Sequence, residues 1–445
     1  MDKKRLMFSL VTLLAVATLL SFIDCKISSG AEKKPIKLGY VASRTGIFSF
    51  LGEDNAKTMI AYADWLNKKQ GGIAGHPIEL FVYDTQSDPV KGALAMRKVI
   101  ELDKVHLVMG ESATGVALGL APVAAANKIT YIANSGSEVF EKANKKAGPE
   151  QHRWCFRPVS CTDAEHITTL AWVVTDVLRA KKLAYLAPET GFGKAQLAAA
   201  KAILPRLGVE LVVIETYPGD ATTFGAQISK VKATPGVEVV TAWGAELASA
   251  LCIAAFREAG YGGEGQVPII IWSTMVQPSM IALEKIKRAY EGVWLIDPTA
   301  PWDSMPEDHF NRPVLLRFAK FFKEVLGIRM STVFQIFPLS SMVFLEDAMN
   351  RLFKDQPNIM EKDLGTIRLA IRDYFEACGT LNNGMGVYSL SPDDHCGFHL
   401  GTQYNLCKFH NGIGIYHSRP PTAYFRNAAP KIADLGFNLG PKIGP

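Results

Sequence analysis

The stretch VHLVMGESATGVALGLAPVAAANKITYIANSGS, residues 105–137, decides the fold. Its apolar runs Val105–Met109 and Ile129–Ala133 have the length of strands, and Thr114–Ala126 between them is an Ala- and Leu-rich helix. Each strand ends in a short loop of glycine and hydroxyl residues, Gly110-Glu111-Ser112-Ala113-Thr114-Gly115 and Asn134-Ser135-Gly136-Ser137. Strand, loop, helix and strand in that order build a parallel sheet with helices on both faces.

The same alternation runs outward in both directions. Upstream, strands are predicted at Ile36–Ala42 and Ile78–Tyr83, with helices at Glu53–Lys69 and Pro89–Leu102. Gly71-Gly72 stops the first helix, and Pro89 occupies a favoured first helical position. Residues 151–160 are polar and irregular around Arg157-Pro158, after which the pattern restarts. A helix at Asp163–Arg179 leads to strands at Leu183–Ala187, Leu211–Thr216, Val237–Trp243 and Val267–Ser273. Val293–Asp297 then leads into a helix-dominated section, Arg312–Ala377, and a Gly-, Cys- and His-containing tail of strands and turns from Gly384. The fold class is α/β, with two doubly wound parallel-sheet lobes rather than tandem repeats.

With 445 residues the chain has room for two domains, and 48% apolar against 20% charged residues is a globular balance. The net charge of +5 is spread without a long basic run, so nucleic acid is not an expected partner. At the N-terminus Lys3, Lys4 and Arg5 precede an apolar run, Leu6–Ile23, and the small residues Ser29-Gly30-Ala31. That order is an export signal, cleaved to leave a mature chain from near Glu32. Asp24 before Cys25 argues against a lipoprotein signal, and no second segment is long and apolar enough to span a bilayer.

In an open parallel sheet, ligands sit beyond the carboxyl ends of the strands. The two serine-rich loops lie there, at helix starts where free backbone N–H groups favour anions. Either alone reads as a helix cap; two on neighbouring strand ends read as a binding site. No P-loop, no Gly-x-Gly-x-x-Gly after the first strand and no Gly-x-Ser-x-Gly elbow is present, so neither nucleotide binding nor hydrolysis is supported and no cofactor is expected. Trp243 and Trp272 end strands and suit either the core or an apolar wall over a ligand. The tail cluster His395, Cys396, His399, Cys407 and His410 matches no zinc spacing. In an exported chain a Cys396–Cys407 disulfide is the preferred reading.

Together, Ile36-Lys37-Leu38-Gly39, the Thr45-Gly46 to Gly52 loop, Gly71-Gly72-Ile73-Ala74-Gly75, Tyr83-Asp84-Thr85-Gln86-Ser87-Asp88-Pro89, Phe156-Arg157 and Asp394-His395 resemble the periplasmic solute-binding proteins of the leucine/isoleucine/valine type, which serve ABC transporters. The resemblance covers the chain after residue 35 and implies two lobes joined by three crossovers, near Phe156–Val159, Val293–Asp297 and Val387–Leu390. Residues 1–31 would be the signal peptide, 32–157 and 297–388 lobe 1, and 158–296 and 389–445 lobe 2. By position the resemblance makes Leu51 a ligand-packing residue and Ser112, Ala113 and Thr114 the carboxylate loop. Ser135, Gly136 and Ser137 become the second ligand loop, and Phe192 and Trp243 the aromatics of the second lobe. Thr274 falls near the place of the acidic residue that fixes an amino group in amino-acid binders, a departure that leaves Glu246 as a substitute.

The function implied is that of an exported, monomeric, non-enzymatic binding component of an ABC importer, partnered by a membrane permease. Its ligand is a small polar organic molecule: an amino acid, an amide or an organic or aromatic carboxylate. Phe48, Phe50, Phe192, Trp243 and Trp272 are expected to line an apolar pocket, with Arg44 as a second anion contact. A ligand-sensing receptor input would use the same fold, and an exported α/β hydrolase is the remaining alternative.

Overall fold

Short β-branched runs pack as parallel strands buried on both faces, and the amphipathic stretches between them cover those faces. The computed structural model describes residues 33–440, apart from 160–161, 300–301 and 331–332. The export signal, Cys25 and Cys161 lie outside the described residues.

The first sheet contains β1 (Ile36–Ala42), β2 (Ile78–Asp84), β3 (Leu107–Gly110), β4 (Thr130–Ala133) and β5 (Cys155–Phe156), in the order β2-β1-β3-β4-β5. All its pairings are parallel. Its helices are α1 (Ser49–Gln70), α2 (Pro89–Glu101), α3 (Thr114–Ala126), α4 (Val139–Ala147) and α5 (Pro149–Trp154). Asp88 caps α2 by accepting from Val90 N and Lys91 N, with Pro89 in the first turn. Gly71, in the left-handed region, ends α1. That helix begins four residues earlier than the sequence suggests, at Ser49 rather than Glu53.

The second sheet contains β6 (Lys182–Pro188), β7 (Glu210–Tyr217), β8 (Val239–Ala242), β9 (Ile269–Trp272) and β10 (Trp294–Asp297). Before β6 lies α6 (Asp163–Trp172), and between the strands lie α7 (Gly191–Ile203), α8 (Gly225–Ala233), α9 (Leu247–Glu258), α10 (Pro278–Ile281) and α11 (Glu284–Tyr290). Thr162 caps α6 through Glu165 N, and the helix continues in π form over Val173–Val177.

After β10 come α12 (Arg312–Phe321), α13 (Val333–Asp355) and α14 (Leu364–Glu376), which return to the first sheet. Tyr62 of α1 and Phe321 of α12 meet edge to face, with centroids 5.2 Å apart. A small hairpin, β11 (Thr380–Asn382) and β12 (Val387–Ser389), precedes the last crossing. Then β13 (Asn405–His410) and β14 (Ile413–Ser418) join β10 as antiparallel edge strands, and α15 (Thr422–Ile432) follows. The second sheet therefore runs β14-β13-β10-β9-β8-β6-β7. The chain passes between the two sheets three times: after β5, after β10 and after β12. Together these features make the two-lobed type I periplasmic binding fold.

Three expectations need correction. The irregular segment 151–160 contains the end of α5 and the strand β5, which is only two residues long and carries no periodicity. The tail read as strands and turns ends in a helix, α15. The Cys396–Cys407 bridge is not formed: both are buried thiols outside any disulfide. Cys396 accepts from Arg157 Nη2 (3.3 Å) at the third crossing, whereas Cys407 lies within β13 opposite Leu295. The tail histidines are likewise dispersed: His395 bonds Cys155 O and Glu376, His399 meets Ser389, and His410 pairs with Glu291.

Candidate functional site

Each sheet reverses its strand order once, between β1 and β3 in the first and between β6 and β8 in the second. Such switch points open a crevice at the strand ends. Here the two crevices face each other and enclose a cavity of about 260 Å³.

The first wall is built by a forced turn. Gly110 has φ +112°, and a Cβ there would lie 2.2 Å from Val41 O, so glycine is required. Glu111 follows with φ +59° and folds back under the loop. Its carboxylate accepts from Ser43, Thr85 and the Ala113 N–H (2.9 Å). Burial pushes its carboxyl up to about 7, while these hydrogen bonds pull the other way. The chain then enters α3 at Thr114 with Ala113 as a cap that offers no side-chain bond. The start of α3 is thus left open, and Ala113, Thr114, Gly115 and Val116 line the cavity there. Ser112 Oγ accepts from Asn55 Nδ2 (2.7 Å), and Thr114 Oγ1 accepts from Ser135 (3.0 Å), which leaves both hydroxyl protons available.

The opposite wall is aromatic. His166 of α6, Trp272 at the end of β9 and Tyr404 before β13 pack together, with centroid separations of 4.3–5.5 Å. Phe192 at the start of α7 meets His166 edge-on at 5.9 Å. Burial pushes His166 down to about 3, so its ring is neutral. Thr190 caps α7 through Gly193 N (3.2 Å), whereas the Glu246 carboxyl takes the N–H of the residue before it, Ala245 (2.9 Å), and gives the start of α9 no side-chain cap. Glu246 is fully buried, burial raises its carboxyl, and its second oxygen, Oε1, has no partner. The walls touch at glycines: the Phe192 ring lies 3.2 Å from where a Cβ on Gly136 would be, and a Cβ on Gly191 would lie 3.0 Å from Gly115 N.

The sequence model of the family described as "Periplasmic binding protein" matches residues 35–362. The chain belongs to that family. The family is one of solute-binding proteins, not enzymes. The chain is 26% identical to the Leu/Ile/Val-binding protein homolog 3 of Brucella melitensis over 253 residues, 55% of this chain and 65% of that protein. It is 24% identical to an amino acid binding protein of Pseudomonas aeruginosa over 225 residues, 51% of this chain and 58% of that one. It therefore spans less than two thirds of the length of these curated relatives. The crystal structure of an extracellular ligand-binding receptor from Rhodopseudomonas palustris HaA2 superimposes with a TM-score of 0.74 at 25% identity, covering 86% of this chain and all of that one.

In this periplasmic binding protein, Leu51, Ser112, Ala113, Thr114, Gly136, Phe192 and Thr274 come together on the cavity wall. Three of the sequence-derived candidates stand behind it. Ser135 bonds Thr114 and its carbonyl takes Arg157 Nη1 (3.2 Å). Ser137 donates to Asp163 Oδ2 (3.1 Å). Trp243 is fully buried and stacks on Trp272 at 4.8 Å. Phe48 and Trp272 line the cavity, but Phe50 does not. Arg44 pairs with Glu53 (2.7 Å) and does not line it either. Sequence reasoning missed His166, Gln403 and Tyr404. No motif marks them: His166 is a single residue in a helix, and the other two lie beyond the family match. Among the described residues no helix is long and apolar enough to cross a membrane.

Proposed function

We propose that this chain is the exported solute-binding component of an ABC importer, and that it closes its two lobes on a small organic carboxylate with an apolar or aromatic body. The observation that carries the reading is the uncapped start of α3, with the Ser112 and Thr114 hydroxyls, opening onto a cavity walled by Phe48, Phe192, Trp272 and Tyr404. Of the helix starts at the cavity, that of α7 is capped by Thr190, and that of α9 has the acidic Glu246 as its N-cap residue, an unfavourable neighbour for an anion. The start of α3 is therefore where an anionic head gains most from oriented N–H groups and the helix dipole. The protein would be delivered to the periplasm by the cleavable signal at residues 1–31, act as a monomer and hand its ligand to a membrane permease. Lobe 1 would comprise 32–157 and 297–388, and lobe 2 158–296 and 389–445.

The unpaired Glu246 Oε1 supports a second reading, an amino acid whose ammonium meets that carboxylate. An ammonium buried without such a partner would cost several kcal/mol. The names of the Brucella and Pseudomonas relatives point the same way. Calorimetry with phenylalanine and leucine against hydrocinnamate and 4-methylpentanoate separates the two. The expected result is saturable binding of the acids without their conversion, and stabilisation of about 2.7 kcal/mol at a hundredfold excess over Kd. Leucine binding with no response to the des-amino acids would move the assignment to the second reading. Turnover of any bound compound would overturn both.

A further inference from the structure

The loop before β13 is fixed on three sides. Glu165 accepts the N–H of Gly401 (2.6 Å) and of Gln403 (3.4 Å), and Asn311 Nδ2 donates to Thr402 O (3.2 Å). The Thr402 hydroxyl donates to His399 O (2.7 Å) and accepts from Val387 N (3.1 Å). The side chain of Gln403 is not tied in this way. Gln403 is 1% exposed and lines the cavity, yet neither its amide oxygen nor its amide nitrogen has a partner. His166, next in sequence to Glu165, lines the same cavity, and its Nδ1 makes no hydrogen bond of good geometry, although the Gln196 side chain lies close enough to pull its pKa up. Buried polar atoms of this kind are rare because each one left unpaired destabilises the fold. Three of them on two residues of one cavity, on a backbone already fixed by Glu165, mark a preorganised recognition surface.

The chemistry limits what they recognise. An amide presents a donor and an acceptor, and a neutral imidazole presents one of each. Neither compensates a second full charge on the ligand. We infer that Gln403 and His166 form a specificity-determining pair that reads an uncharged hydrogen-bonding group, a hydroxyl or carboxamide, on the body of the bound carboxylate. This deepens the proposed function and rests on its carboxylate reading. A purely hydrocarbon body would leave these atoms unpaired on closure, and sites built to bond a hydroxyl discriminate strongly against the analogue lacking it. The pair lies on both sides of the family match: His166 falls within residues 35–362, and Gln403 beyond them.

Calorimetry on the full mature chain tests this with two matched pairs, 4-hydroxybenzoate against benzoate and 6-hydroxyhexanoate against hexanoate. In at least one pair the hydroxylated acid is expected to bind about tenfold or more tightly. Gln403→Leu and His166→Phe should each bring that ratio below about threefold by weakening the hydroxylated acid more than the unsubstituted one. The backbone of Gln403, not its side chain, carries the loop's bonds, so Gln403→Leu should melt no lower than the parent. Equal affinities within both pairs would overturn the inference and leave the carboxylate reading standing. A ratio that survives both substitutions would also overturn it. If none of the four acids binds, the carboxylate reading falls, and this inference falls with it.

Discussion

The loops Gly110–Gly115 and Asn134–Ser137 look alike in the sequence. Both follow buried strands, both are rich in glycine and serine, and both precede helices. Their uses diverge. The first loop turns on Gly110 and Glu111 and presents Ser112 and Thr114 to the cavity. The second brings only Gly136 to the cavity wall and turns the Ser135 carbonyl and the Ser137 hydroxyl to the crossing between lobes. Ser135 O takes Arg157, and Ser137 donates to Asp163, which also holds Gln196 Nε2 (2.7 Å). Similar composition thus faces the cavity in one place and joins the lobes in the other. What separates them is the partner each loop meets across the fold.

The largest test of that division is Arg157→Met. Arg157 is fully buried and paired with Glu141, which is itself buried. Removing one member of such a pair leaves an uncompensated charge and should destabilise the protein by about 3–5 kcal/mol. Urea denaturation measures this. A loss below about 1 kcal/mol would break the comparison, because the second loop's network would then not hold the lobes together.

A middle-sized effect should appear in pH dependence. Burial raises Glu111, behind the first loop, from 4.5 to about 7, and Asp163, beside the second, from 3.8 to about 7. A raised carboxyl means the folded protein holds a proton that the unfolded chain has released. Stability is then full below the unfolded value and falls as pH rises through about 7. Each group should contribute on the order of 1–3 kcal/mol of loss between pH 5 and 8. Glu111→Gln and Asp163→Asn should each flatten part of that fall in a melting series. A profile that neither substitution changes would contradict the burial of both.

The smallest effects separate the loops most cleanly. Thr114→Val should weaken carboxylate binding by roughly tenfold through loss of one hydroxyl contact. Ser135→Ala should cost about 1 kcal/mol of stability and leave affinity within about twofold. Calorimetry and denaturation on both variants check this, and an affinity loss confined to Ser135→Ala would reverse the roles assigned to the two loops.

The legible parts of this protein are those in which local sequence and local structure coincide. β1, α3 and the start of α2 follow from apolar runs, Pro89 and the Asp88 cap, and they fall where the pattern predicts them. The parallel pairing of the strands follows from strand-helix alternation, whereas their order and the switch points do not. β5 escaped because two residues carry no period, and α15 because it was read as part of a tail of strands and turns. Phe192 and Thr274 were legible because each sits at a strand or helix end with an assignable place in the resemblance.

By itself, then, the sequence determined the α/β class, the two lobes and the glycine-turned loop that opens α3, because periodicity, glycine turns and helix starts are local properties. Only the tertiary structure decided which hydroxyls face the cavity, that Arg44 is taken by Glu53, and that Cys396 and Cys407 stay apart. It also decided that Gln403 stands on the same wall as His166. These are relations between residues far apart in the chain. Packing of the two lobes and their crossings sets them, and no spacing within a single stretch encodes such distances.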